Sequence, residues 1–103
     1  MTVFEMLDTK YREAMKRMND TAWKNIKAKH QHPAQTVYMG LEITANDIRE
    51  NGGWSGELFQ EIEMMHKEKL LASNKHRQAH GQVTKYWLTP KGWKHINKEH
   101  AIC

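Results

Sequence analysis

Residues 83–96, VTKYWLTPKGWKHI, constrain the fold most, because the periodicity changes there at a single residue. Val83, Lys85 and Trp87 alternate with Thr84, Tyr86 and Leu88, the period of two expected of a strand whose faces see different surroundings. Thr89 offers a side-chain oxygen to cap a helix. Pro90 brings a preset φ to a first helical position that needs no N–H. The segment therefore predicts a strand ending at 88 and a helix starting at 90. A second run, LLASNK at 70–75, reads as a partner strand. The polar tip HRQAHGQ between them contains a glycine that lets the chain turn. The pair predicts a hairpin.

Upstream the pattern is helical. Thr2 with Glu5 forms a capping-box start. Phe4, Leu7, Tyr11, Met15, Met18, Ala22 and Ile26 then recur at three- and four-residue steps, one apolar stripe on a helix. Asn19-Asp20-Thr21 can break and recap it, so the reading is one helix over 2–30 or two joined near 20, ended by His32-Pro33. Residues 34–43 fit a short helix, a short strand or both in turn. Thr44 caps a helix at 45–51 and Gly52-Gly53 closes it. Ser55 is expected to cap a third helix at 56–69. Leu58, Ile62 and Met65 line its buried side with Phe59 and His66 beside them, and Glu57, Gln60, Glu61, Met64, Lys67 and Glu68 face out. The expected class is mainly α with a small β-hairpin, α+β. The expected division is a helical arm at 1–32 and a domain at 33–103.

The formal charge of +4 is unevenly spread. Residues 1–32 are net +3, residues 33–73 net −4 and residues 74–103 net +5, so both ends favour polyanions and the middle does not. The sole cysteine, Cys103, allows no intrachain disulfide. No basic region followed by an apolar run opens the chain, and no stretch nears the roughly 20 apolar residues of a membrane span. A cytoplasmic location is expected.

Catalysis finds no footing. The chain has no P-loop, no dinucleotide-binding glycine turn and no nucleophile elbow, and Asp8, Asp20 and Asp47 read as helix-surface or cap residues. Histidines occur as scattered pairs, His30 with His32 and His76 with His80, short of the three or four convergent ligands zinc requires. No enzyme, cofactor or metal site is expected.

Taken together, ITANDIRENGGW, SGELFQEIEMMHKEKLL and YWLTPKGWKHI resemble the winged helix-turn-helix domains of bacterial and archaeal regulators over residues 43–96. The last segment is similar to a Tyr-x-Leu-Thr-x-x-Gly pattern of the MarR and PadR type, matched by Tyr86, Leu88, Thr89 and Gly92. The resemblance implies a winged helix-turn-helix with an extra N-terminal helix. It places the helix at 56–69 in a major groove and the tip at 76–82 on a minor groove or backbone.

The implied function is a small DNA-binding protein, a transcriptional regulator or accessory factor of a prokaryote or its virus, that holds duplex DNA as a homodimer. Lys75, His76, Arg77, His80 and Lys85 put three fixed and two switchable charges on the hairpin, suited to phosphates. Ser55, Gln60 and Lys67 are the candidate base or phosphate contacts, and Asn46 and Arg49 can touch the backbone. The stripe of Phe4, Leu7, Tyr11, Met15 and Met18 either closes the domain's own core or meets a twofold mate. The helix at 55–69 carries four acids against two lysines, which repel phosphates. The alternative is therefore a protein-docking module that uses this acidic face.

Overall fold

The computed structural model describes residues 1–74 and 85–102. In chain order the elements are α1 (Val3–Arg17), α2 (Asp20–Lys29), α3 (Pro33–Met39), β1 (Ile43–Thr44), α4 (Ala45–Glu50), a 3-10 turn (Gly53–Ser55), α5 (Glu57–Lys67), β2 (Leu71–Ser73), β3 (Lys85–Leu88) and α6 (Pro90–His100). The helix runs in two pieces across 2–30, because Asn19 turns its side chain to cap α2 and accepts the Ala22 N–H at 2.7 Å. Residues 34–43 hold both elements in turn, the rest of α3 and then the start of β1.

Thr89 joins strand to helix as its context predicts. Its hydroxyl oxygen accepts the Gly92 N–H at 3.0 Å, and its O–H donates to the Lys69 carbonyl at 2.7 Å. β3 lies in the middle of a three-stranded antiparallel sheet of order β1-β3-β2, with Ile43 opposite Tyr86 and Leu71 opposite Leu88. The alternation holds over Lys85–Leu88. Tyr86 and Leu88 are buried, Lys85 is exposed and Trp87 half-buried. β2 begins at 71 rather than 70, because Leu70 still closes α5 by donating its N–H to the Met65 carbonyl at 2.8 Å.

Among the described residues one core collects side chains from α1, α3, α4, α5, α6 and all three strands. Leu7, Ile43, Ile48, Leu58, Ile62, Leu71 and Leu88 are fully buried, each worth about 1.5–3 kcal/mol of transfer free energy. Tyr38 stacks on Tyr11 at 4.5 Å, meets Trp93 at 5.6 Å and donates its O–H to Asp8 at 3.1 Å, which ties α1, α3 and α6 together.

Three expectations are corrected here. Ser55 does not cap the third helix. Gly52 and Gly53, both at positive φ, lead into a 3-10 turn that takes up Ser55, and the cap falls on Gly56. A Cβ at Gly56 would sit 2.8 Å from the Gly52 backbone, so only glycine closes this turn. Glu61 does not face out. It is half-buried and its carboxylate accepts the Val3 N–H at 2.7 Å, while Glu63 takes the exposed position.

The third correction concerns the arm. α1 buries Val3, Met6 and Leu7 in the common core, with Phe4 and Tyr11 packed against it. Leu7 is thereby closed to a twofold mate. The buried face is turned toward Val3 and Met6 relative to the expected stripe. Met15 and Met18 lie past its end, half-buried and outside the core cluster. Residues 1–17 thus pack on the common core, whereas α2 has no buried residue.

Candidate nucleic-acid interface

α4, the glycine turn and α5 form the surface on which the expected contacts lie. Thr44 starts α4 with a complete capping box. Its hydroxyl oxygen accepts the Asp47 N–H at 3.2 Å, and its own N–H donates back to the Asp47 carboxylate at 2.8 Å. Lys10 of α1 adds its ammonium to the same carboxylate at 2.9 Å, which fixes α4 to the body. Burial pushes the Asp47 carboxyl up, but the Thr44 bonds and Lys10 outweigh it and hold the group below its ordinary range.

On α4, Asn46 and Arg49 are exposed. The Asn46 amide is turned along its own helix and donates to Glu50 at 3.1 Å, whereas Arg49 makes no ion pair among the described residues. Ser55 and Gln60 come together: the Gln60 amide donates to the Ser55 carbonyl at 3.2 Å, and both side chains are open to solvent. Lys67 is exposed in the last turn of α5. The helical period puts Gln60, Glu63, Met64 and Lys67 opposite the buried Leu58, Ile62 and Met65.

Charge on that face is unfavourable for phosphate. Glu57, Glu63 and Glu68 are exposed against Lys67 alone within α5 and its cap. The inward turn of Glu61 removes one further acid from it. Burial, with the Glu63 carboxylate beside it, pushes the Tyr86 phenol up. Lys85 is exposed at the start of β3, where its N–H donates to Asn74 at 3.2 Å and its ammonium lies 3.7 Å from the Glu42 carboxylate. Lys75, His76, Arg77 and His80 lie outside the described residues, in the connection from β2 to β3.

Sequence patterning missed Trp54. It is 47% exposed in the 3-10 turn and set edge-on to Phe59 at 4.9 Å. Its place directly after Gly52-Gly53 was the available signal, since a residue that follows a sharp turn between two helices stands at the surface. Met64 faces out, as its helical position predicts, and is 55% exposed. Of the N-terminal lysines, Lys10 is committed to Asp47, whereas Lys16, Lys24, Lys27 and Lys29 remain exposed. Among the described residues no group of three His, Cys, Asp or Glu side chains is placed to hold a metal ion, and no helix is long and apolar enough to cross a membrane. No family model, curated protein or solved structure matches the chain.

Proposed function

We propose that this chain is a winged helix-turn-helix protein that binds duplex DNA as a regulator or accessory factor, with the β2–β3 connection as its wing. One observation carries the reading. β2 follows α4, the glycine turn and α5 along the chain, and β3 pairs with β2 on one side and β1 on the other. The connection between the paired strands β2 and β3 holds Lys75 and Arg77, two histidines and no acid. Phosphate attraction through these cations supplies affinity without sequence information. Gln60 and Lys67, opposite the buried side of α5, are the groups that read or orient. The acids around them make the wing and Arg49 the main source of affinity.

Fluorescence anisotropy with a random duplex over a series of salt concentrations tests this. Binding weakens steeply with salt, and Lys75→Ala with Arg77→Ala lowers the logarithmic salt slope by about two, one per lost phosphate contact. Equal affinity and slope in the double variant, or no duplex binding at low salt, overturns the reading.

A second reading draws on the exposed apolar side chains of Trp54 and Met64 and on the exposed acids Glu57 and Glu63 of α5. Aromatic and Met residues are enriched at protein interfaces. Absence of duplex binding, together with loss of a protein partner on Trp54→Ala, favours this docking role.

A further inference from the structure

We propose that two copies of the chain associate by reciprocal exchange of α2, each seating this helix in a groove between α1, α5 and α6 of the other. The inference does not rest on DNA binding. It rests on two surfaces of opposite charge: among the described residues the lysines of α2 make no ion pair, and neither does the Glu68 carboxylate at the groove.

The first surface is α2 itself. None of its residues is buried. Trp23 and Ile26 are half-buried and lie outside the core cluster. With Ala22 they share one face at the helical period, and the Lys27 ammonium lies 5.7 Å from the Trp23 ring centroid. Lys24, Lys27 and Lys29 are exposed and make no ion pair among the described residues. A ten-residue helix gains little stability alone in water, and an apolar face on it calls for cover.

The second surface is a groove of about 280 Å³ that no residue of α2 lines. Val3, Met65, Leu70 and Ile96 form its apolar floor, and Met64 stands exposed in its wall. Its outer rim carries the exposed Glu68 and Glu99. Glu99 is 3.2 Å from His95 and 3.8 Å from His100. The Glu68 carboxylate makes no ion pair among the described residues, although the Lys91 ammonium donates to the carbonyl of the same residue at 3.2 Å. Glu61, at the inner edge, is committed to Val3.

Chemistry selects the occupant. An apolar floor under carboxylates accepts a cationic amphipathic helix and repels a polyanion. The volume falls at or below the low end for small-molecule sites. The chain carries such a helix, with none of its residues fully buried and no ion pair on its lysines among the described residues, so the occupant is a second copy, with Trp23 and Ile26 on the floor and Lys24 and Lys27 toward Glu68 and Glu99. Reciprocal seating about a twofold axis closes the assembly at two and leaves no open end.

Sedimentation velocity on the full chain without nucleic acid tests the exchange. The wild type is expected to be dimeric at about 100 μM. Lys24→Glu with Lys27→Glu raises the dissociation constant at least about tenfold, and Glu68→Lys with Glu99→Lys does the same. Mixing the two double variants restores the dimer, because every reversed helix then meets a reversed groove. Circular dichroism of each variant checks folding. Should one not fold, the wild type alone decides: dissociation promoted by salt supports the charged contact, and a salt-independent dimer overturns it. A monomeric wild type, reversals without effect, or a mixture that stays monomeric also overturns the proposal. A wild-type monomer that binds duplex DNA removes the exchange and leaves the DNA reading intact.

Discussion

Glu61, in the second turn of α5, accepts the backbone N–H of Val3, the first residue of α1, at 2.7 Å. Helix N-termini leave N–H groups without intrahelical partners, and a carboxylate there also meets the positive end of the helix dipole. Replacing Glu61 by Ala strands a partly buried donor. Unfolding in denaturant is expected to show a loss of about 1–3 kcal/mol. Gln keeps an acceptor and should recover part of that loss. Because Glu61 points into the body, neither variant gains duplex affinity per folded molecule. A gain on Glu61→Gln would return this side chain to the DNA-facing surface.

Gly92, in the first turn of α6, is buried against β2's approach. A Cβ there would run into the Leu70 carbonyl group, which is main chain and also accepts the Thr89 N–H at 3.2 Å. No rotamer change relieves such a contact. Gly92→Ala is therefore expected to cost at least about 3 kcal/mol, the range of severe overpacking, despite the better helix propensity of alanine. A melting temperature equal to the wild type's would show that α6 can shift away from the sheet.

Lys69 sits at φ +64°, in the left-handed region, where the chain leaves α5. Its N–H donates to the His66 carbonyl at 3.1 Å and the next N–H reaches back to Met65, the two bonds of a Schellman stop. Glycine is the usual residue there, because a Cβ strains this conformation by about 1 kcal/mol. The Thr89 O–H on the Lys69 carbonyl helps hold it. Lys69→Gly should stabilise the fold by a few tenths to about 1 kcal/mol, with part of the relief offset by the freer unfolded chain. Thr89→Ala removes both this bond and the cap of α6 and should cost about 1–2 kcal/mol. If Lys69→Gly lowers stability in thermal melts, the lysine side chain carries more than its backbone strain costs.

How much of this was legible depended on where the information sat. Thr2, Thr44 and Thr89 announce their helices, because a cap needs one oxygen at one position and every partner lies within three residues. The alternation of Tyr86 and Leu88 likewise fixes a core-facing edge locally. Glu61 could not be read this way. Its partner is 58 residues away, and by helical period alone it is one more acid beside a buried stripe. Ser55 misled for a related reason. It is a better cap than Gly56, but the close approach of Gly56 to Gly52 is a tertiary demand that overrides side-chain preference. The stop at Lys69 carried no glycine to announce it. For the site, the outward placement of Gln60, Met64 and Lys67 followed from period, whereas the use of Asn46 along its own helix and the shift of exposure from Glu61 to Glu63 did not.

Asp47 gives a pH dependence with a definite sign. Burial alone would raise its carboxyl, but the Thr44 N–H at 2.8 Å, the Thr44 O–H at 3.0 Å and the Lys10 ammonium at 2.9 Å together depress it in the folded chain. A group whose folded pKa lies below its unfolded value binds its proton more readily when the chain is open. Its stabilisation is thus complete above the ordinary carboxylate range, near pH 4, and is lost as pH falls below that value and through the folded pKa. Asp47→Asn keeps the shape and removes the charge, so it forfeits about 1–3 kcal/mol at neutral pH, the range for a charged hydrogen-bonded group. The gap between wild type and variant, followed by urea unfolding from pH 7 downward, should stay constant to about pH 4 and then close. Lys10→Met should narrow the gap at neutral pH without abolishing it, since both Thr44 bonds remain. Stability curves of wild type and Asp47→Asn that run parallel through the acid range would mean that the three contacts favour the charged and neutral carboxyl equally.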